Sequence, residues 1–149
     1  MATVQPFTRE MIKHYLQSRE MKYLTDSDGD FQLGFEVSEI TGCRLTIYLW
    51  VQGKDLNIYA IKVRTSRDIP EADWGRVTYV CNRWNAEHRW PKAFLDVREV
   101  EGAGSGDIVL EQHLDLGPGI HQELFDDLTN TILAAAVSFW VWAHKEHGL

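Results

Sequence analysis

The sequence predicts an α+β fold in which helices pack against an antiparallel sheet. Two patterns of apolar residues support this prediction. Near both ends and in the middle of the chain, apolar residues recur at helical spacing, and in the segments between they alternate with polar residues as in a strand. The order is α-β-β-β(β)-α-β-β-α, and runs of strands flanked by helices are typical of an α+β sheet covered on one face. The chain, 1–149, has the size of one domain, and its 44% hydrophobic content is that of a globular protein.

The first helix is predicted from Thr8 to about Glu20. Thr8 can cap its N-terminus, and Ile12, Tyr15 and Leu16 lie on one side at helical spacing. A short strand over residues 22–25 and a tight polar turn over residues 26–30 follow.

Three longer strands are predicted next, over residues 31–37, 45–51 and 56–64. The turns between them are short, which favours an antiparallel meander. The middle strand has bulky groups on both faces, because Tyr48 and Trp50 alternate with Ile47 and Leu49. Either the last two of these strands are central, or one of their faces meets a partner.

The second helix is predicted to begin at Ile69-Pro70-Glu71, with Asp68 as its cap and the proline tolerated in the first turn. Pro91 prevents its continuation. Its inward side is formed by residues at helical spacing, which are Trp74, Val77, Cys81, Trp84 and His88.

Two strands and a third helix complete the prediction. The strands cover residues 92–100 and 107–116 and are joined by a glycine-rich loop over 101–106. The helix covers residues 120–147, and Gly148 suits its termination.

The charge and the cysteine content indicate what the protein does not bind and where it is expected to work. The net charge of -7, with scattered Lys and Arg, argues against nucleic-acid binding. The N-terminus shows no signal peptide pattern, and Cys43 and Cys81 lack metal-type spacing. We therefore expect a cytoplasmic protein whose cysteines act as small buried apolar residues, although a redox-sensing pair remains the alternative.

No catalytic or cofactor pattern is found in the sequence. Asp26, Asp28 and Asp30 resemble the start of an EF-hand, but Phe31 and Val37 occupy the positions that require Gly and Glu. The glycine-rich loop leads into a strand, so it is neither a phosphate cradle nor a nucleophile elbow. The histidines lack a third ligand nearby. We predict no catalytic residue, no metal, no cofactor and no enzymatic activity.

Residues 81–96, which join the second helix to the next strand, form the most distinctive segment. They resemble the signature of the YbjN family, which is assigned to bacterial sensory transduction regulation. The matching positions are Asn82, Arg83, Trp84, Asn85, Trp90, Pro91, Lys92, Ala93, Phe94 and Leu95. The resemblance continues through Gly119 into the last helix and implies a fold like that of type III secretion chaperones. We interpret the signature as structural, with its asparagines bonded to the backbone at the helix end.

The last helix carries a run of apolar residues, 132–143, which is shorter than the roughly 20 residues that span a bilayer. No membrane span is therefore predicted. Phe139, Trp140, Val141 and Trp142 point in nearly every direction around the helix. Either loops of the same chain cover the outer side, or a second subunit does; we favour a homodimer, as is typical of chaperones with the implied fold.

The sequence therefore predicts a non-enzymatic module that binds another, unidentified protein through apolar grooves and strand edges. The candidate interaction surface consists of large aromatic residues, namely Tyr48, Trp50, Trp90, Trp140 and Trp142. The alternative is a small-molecule sensor with a tryptophan-lined pocket, which a cavity beside Trp84 or Trp90 would favour.

Overall fold

The computed structural model describes residues 3–36, 39–100 and 103–149. Within them the α+β prediction is confirmed, since three α-helices accompany a seven-stranded antiparallel sheet. The helices are α1 (Arg9–Ser18), α2 (Trp74–Glu87) and α3 (Gln122–His147). The strands are β1 (Leu24–Thr25), β2 (Phe31–Phe35), β3 (Leu45–Gln52), β4 (Ile58–Thr65), β5 (Ile69–Pro70), β6 (Lys92–Val100) and β7 (Ala103–Asp115).

The long strand β7 organises the sheet. Strands β1 to β4 form a meander, and β4 pairs with the C-terminal half of β7, where Val63 lies opposite Leu110. The short β5 pairs with the N-terminal half, where Ile69 lies opposite Gly106. Strand β6 pairs with both halves of β7, since Ala93 lies opposite Leu110 and Val97 lies opposite Gly106. It must therefore lie on the side of β7 that β4 and β5 leave free. The sheet therefore ends at β1 and β2 on one edge and at β6 on the other.

The two faces of the sheet differ. In β3, Leu45, Ile47, Leu49 and Val51 are buried, while the side chains between them are half-buried. The buried set forms one core cluster with residues from all three helices. We call this the helix-covered face and the opposite side, which includes Tyr48 and Trp50, the open face.

Helix α3 is central to the core. Ile132, Phe139, Trp140 and Ala143 are completely buried, and the helix contacts both α1 and α2. It ends at Gly148, which adopts the left-handed conformation at φ 66° as predicted. Because α1, α2 and the sheet all pack against α3, most of its apolar surface is covered within one chain.

Several boundaries differ from the prediction. Strand β2 ends at Phe35, and Val37 lies outside the described residues. Strand β4 begins at Ile58, because Leu56 is in the preceding turn with φ 54°. Thr8 occupies the N-cap position of α1, but its side chain makes no capping hydrogen bond.

The predicted start of the second helix is wrong. Ile69 and Pro70 form β5 instead, a 3-10 turn over Glu71–Asp73 follows, and α2 begins only at Trp74. Asp68 does not cap the helix; its carboxylate accepts a hydrogen bond from the Ser105 hydroxyl. Pairing with β7 provides hydrogen bonds to this segment that a helical start would have provided locally.

The predicted glycine-rich loop is also shorter than expected, because Gly104, Ser105 and Gly106 belong to β7. The glycines are needed for packing rather than for a turn. A Cβ on Gly104 would lie 2.5 Å from the ring of Trp74, and one on Gly106 would lie 2.9 Å from Trp74 Nε1. The absence of side chains here lets the indole lie directly on the strand.

Candidate functional site

The open face of the sheet carries both large aromatic side chains and charged side chains. Strand register places Trp50 opposite Ala60, which in turn lies opposite His113. In the next row, Tyr48 lies opposite Lys62, which in turn lies opposite Glu111. These alternating positions of β3, β4 and β7 all point away from the helices. Aromatic groups and charges therefore share one surface.

Trp50 is the centre of the aromatic part. Its ring has the ammonium of Lys62 at 5.1 Å and the edge of the His113 ring at a centroid distance of 6.3 Å. Both Trp50 and Tyr48 are half-buried. They line an open groove of about 480 Å³, which we call the aromatic groove, together with Leu24, Thr25, Asp26, Asp30, Phe31, Gln32, Lys62 and Arg64.

Ion pairs surround these rings. Glu111 lies between two ammonium groups, that of Lys62 at 3.4 Å and that of Lys92 at 3.3 Å. Arg64 likewise lies between two carboxylates, at 3.1 Å from Asp96 and 3.7 Å from Asp107. The open face is thus an amphipathic surface with its central charges largely paired.

Asp107 lies on this face in an environment that disfavours its charged form. Burial raises the pKa of its carboxyl, while the hydrogen bond from Thr65 and the charges of Arg64 and Arg98 act in the opposite direction. Desolvation is the larger effect.

The Asp26–Asp30 turn is closed by the protein itself. The carboxylate of Asp26 accepts hydrogen bonds from the amides of Asp28 and Asp30, as expected of a polar turn. Asp30 pairs with Arg9 at 3.1 Å and accepts from the Val51 amide. In the described part of the chain, no cluster of three or more His, Cys, Asp or Glu side chains is placed to hold a metal.

Both cysteines are buried free thiols. Burial raises the pKa of the Cys81 thiol to about 11, and burial also raises that of Cys43. Neither group therefore has the thiolate character that reactive cysteines need.

The five aromatic residues predicted to form one interaction surface lie in different parts of the structure. Tyr48 and Trp50 lie on the open face, whereas Trp90 is half-buried at the turn between α2 and β6. Trp142 is half-buried against Trp84, with a centroid distance of 6.0 Å. The prediction is wrong for Trp140, which is 0% exposed and packs edge-on against Phe139.

The signature residues 81–96 connect α2 to β6. Trp84 is buried, and its Nε1 donates to the carbonyl of Pro91 at 2.9 Å. Asn85 forms two hydrogen bonds with the backbone of Ala93, as the structural interpretation requires. Asn82 is exposed and does not bond to the backbone of any described residue, so the interpretation is wrong for this asparagine.

Three other signature residues, Arg83, Lys92 and Phe94, lie at the surface, whereas Pro91 and Ala93 are buried. Arg83 forms an exposed pair with Glu87 at 3.0 Å, while Lys92 and Phe94 project from the open face of β6. His88, predicted to face inward, is exposed at the end of α2 and stacks on Trp84 at 3.6 Å.

Sequence reasoning missed three of the open-face charges, Lys62, Arg64 and Asp107. The signal was present, because Lys62 and Arg64 interrupt an otherwise apolar strand with a period of two. Their partners on β6 and β7 are distant in sequence, and only the strand register brings them together.

The family of this chain follows from comparison with known proteins. A family model described as "Putative bacterial sensory transduction regulator", YbjN, matches residues 8–144. The chain belongs to the YbjN family. The resemblance seen in residues 81–96 is therefore confirmed, and the family description is that of a regulator rather than an enzyme.

A solved structure agrees with this assignment. The crystal structure of "YbjN, a putative transcription regulator from E. coli" superposes with a TM-score of 0.76 at 12% sequence identity, over 97% of this chain and 96% of that one. At this identity the likeness concerns the fold. No curated protein matches the chain.

Helix α3 is, by length and composition alone, sufficiently long and apolar to cross a membrane. A core helix of a globular domain passes the same test. The burial of Ile132, Phe139 and Trp140 against the rest of the domain gives α3 this role in the structure described here.

Proposed function

We propose that this YbjN-family regulator acts without catalysis, by binding another polypeptide across the open face of its sheet. The observation that carries the proposal is the half-exposed pair Tyr48 and Trp50 in the aromatic groove. Large aromatic residues are enriched at protein interfaces, where they bury much area at low entropic cost. A solvated sheet face has no need of them.

The shape of the groove favours an extended segment. The aromatic groove crosses β1 to β4 and is open to solvent, whereas small-molecule sites enclose most of their ligand. At its rim β1 pairs only with Phe31 and Gln32, so among the described residues the outer side of residues 33–35 has no strand partner. A peptide could extend β1 along this edge and place side chains over Trp50.

Peptide selection tests the proposal. The protein is immobilised and short random peptides displayed on phage are selected against it. Trp50→Ala should weaken the selected peptides about tenfold or more, as expected of an aromatic anchor. The matched control is Tyr79→Ala, which removes a 59% exposed aromatic residue from α2. Equal binding by the Trp50→Ala variant and the native protein would refute the proposal.

Homodimerisation is a second part of the proposal. Trp140 does not support it, because that residue is buried within one chain. The remaining support is a groove of about 330 Å³ on the outer side of α3, lined by apolar Val137, Val141 and Trp142 and by the opposite charges Lys145 and Glu146. A twofold contact could pair these charges reciprocally. Sedimentation of a 17.2 kDa species alone at micromolar concentration would remove this part.

The alternative function, a small-molecule sensor, is favoured by one observation. Trp90 lines an open groove of about 550 Å³ between the end of α2 and α3, together with Thr131 and Ala135. Trp84, by contrast, is 2% exposed and packed against Phe139. Quenching of Trp90 fluorescence by an apolar probe in the native protein, but not in a Trp90→Phe variant, would support this alternative.

A further inference from the structure

Strand β6 is an edge strand whose outer backbone groups are bonded near its start. The side chain of Asn85 bonds to the amide and the carbonyl of Ala93, so both of these groups point away from β7. The register between β6 and β7 runs without a bulge over Lys92–Val100. Because every second residue of a strand directs its backbone groups to the same side, the amides and carbonyls of Leu95 and Val97 also point away from β7.

These outward groups have no partner in the part of the chain that the structure describes. There, β6 pairs with β7 alone, and the side chain of Asn85 is the one that bonds to the outer side of β6. Edge strands are commonly protected by a lysine, a proline or a bulge, and residues 94–97 contain none of these. The edge at Leu95 and Val97, which we call the β6 edge, can therefore accept another strand.

The side chains at the β6 edge carry an apolar residue between opposite charges. Val97 is 40% exposed, and its neighbours Asp96 and Arg98 both lie on the open face. Asp96 pairs with Arg64 at 3.1 Å, and its side chain remains 36% exposed. Arg98 is exposed and forms no ion pair with a described residue. An acid and a base thus lie two residues apart on the outermost strand of the sheet.

We infer that β6 pairs in an antiparallel arrangement with β6 of a second copy of this chain, about a twofold axis at Val97. The two valines then exchange backbone hydrogen bonds, because their free groups point toward each other. Asp96 lies opposite Arg98 of the second copy, and the axis generates the same pair again in reverse. These two pairs fall at the non-hydrogen-bonded positions, where side chains of antiparallel strands lie closest. The two seven-stranded sheets become one continuous sheet.

The order of charges selects both the occupant and the register. An axis at Asp96 or at Arg98 would place each of these residues opposite its own copy, and like charges directly opposite each other are destabilising. The axis at Val97 pairs both charges with their opposites. Another protein's strand would need the same two charges in the matching order, whereas a second copy has them by symmetry.

This inference rests on the homodimer of the proposed function and assigns its contact to the β6 edge in place of the groove on α3. The opposite charges of that groove, Lys145 and Glu146, are adjacent in sequence and diverge by about 100° around the helix. One contact surface therefore aligns them less well than two residues on the same face of a strand.

The mass of the full chain in solution, measured by sedimentation equilibrium, tests the inference. The native protein should sediment at twice the 17.2 kDa of one chain at micromolar concentration. Asp96→Lys alone and Arg98→Glu alone each place like charges opposite each other twice across the contact. Each variant should raise the dissociation constant of the dimer about tenfold or more.

An equal mixture of the two charge variants provides the decisive measurement. In a mixed dimer the introduced lysine faces the introduced glutamate, and the native Asp96 faces the native Arg98. Association should therefore return to near the native strength. A mixture that stays as dissociated as its two components would overturn the inference.

A lysine introduced at each candidate contact separates the two surfaces. Val97→Lys should dissociate the dimer, because a charge at the axis meets its own copy. Ser138→Lys introduces the same charge at an exposed position of the α3 groove and should leave the dimer intact. Circular dichroism shows whether each variant keeps the native fold.

The outcomes distinguish the inference from the proposed function. A dimer that withstands Val97→Lys and dissociates with Ser138→Lys would overturn the inference and leave the homodimer with its contact on α3. A native protein that sediments only as a single chain would remove the homodimer and the inference together. Peptide binding that requires Trp50 is independent of both results.

Discussion

The side-chain amide of Asn85 replaces a neighbouring strand for Ala93. Its Nδ2 donates to the Ala93 carbonyl at 2.9 Å, and the Ala93 amide donates to its Oδ1 at 2.8 Å. Ala93 lies opposite Leu110 of β7. Because its amide and carbonyl both bond to Asn85, the two residues form a non-hydrogen-bonded pair, and these backbone groups point away from β7 toward the open edge of the sheet. A single side chain of α2 thus provides hydrogen-bond partners for the backbone of Ala93, near the start of edge strand β6.

Replacement of Asn85 by alanine should therefore destabilise the fold. Asn85→Ala leaves the amide and carbonyl of Ala93 without partners at a partly buried position. We expect the free energy of unfolding, measured by urea denaturation, to fall by about 1–3 kcal/mol.

Asn82→Ala is the matched control for this experiment. Asn82 lies on the same helix and is exposed, so both variants gain the same helix propensity. Its effect should stay within about 0.5 kcal/mol. Equal effects of the two substitutions would show that the hydrogen bonds to Ala93 contribute nothing measurable.

The packing of Trp74 on β7 gives a second prediction. Trp74 cannot move away easily, because its Nε1 donates to the carbonyl of Ile69 at 3.0 Å. Gly106→Ala would place a Cβ 2.9 Å from both that nitrogen and Leu95 Cδ1. We expect a loss of about 1–3 kcal/mol in thermal or urea unfolding, as for other overpacked sites.

Gly75→Ala should have the opposite effect on stability. Gly75 lies in the first turn of α2, and a Cβ there would meet no atom within 4 Å. The substitution should stabilise the protein by up to about 1 kcal/mol, since glycine is unfavourable in helices. A stabilising Gly106→Ala would mean that the Trp74 ring does not lie on this strand.

These contacts also show where sequence reasoning succeeds and where it stops. Local periodicity is sufficient for β3 and α3, because each element repeats its apolar residues at its own period. The glycines of β7 look like a loop until the ring of Trp74, far away in the sequence, is placed on them. Local pattern cannot supply such long-range contacts.

The same reasoning applies to the candidate site. Tyr48 and Trp50 are recognisable from alternation in a single strand, so the sequence is enough to select them. Trp140 is indistinguishable from Trp142 by pattern, because the packing of α1, α2 and the sheet determines which side of α3 is covered. The ion pairs of Arg64 depend on register across β4, β6 and β7 and therefore require the structure.

The buried carboxyl of Asp107 gives a prediction for pH. Burial raises its pKa in the folded protein above the ordinary value, so folding favours its protonated form. The corresponding stability is fully present below about pH 4, the ordinary range of aspartate, and is lost as the pH rises through the folded-state pKa. Asp107→Asn removes this titration. The free energy of unfolding of the native protein relative to this variant should therefore decrease as the pH rises.

Urea unfolding of both proteins at a series of acidic pH values measures this difference. We expect a change below about 1 kcal/mol, because Asp107 is only partly buried and solvent screens its charge. An increase with pH would mean that Arg64 and Arg98 outweigh burial and hold the pKa of Asp107 low.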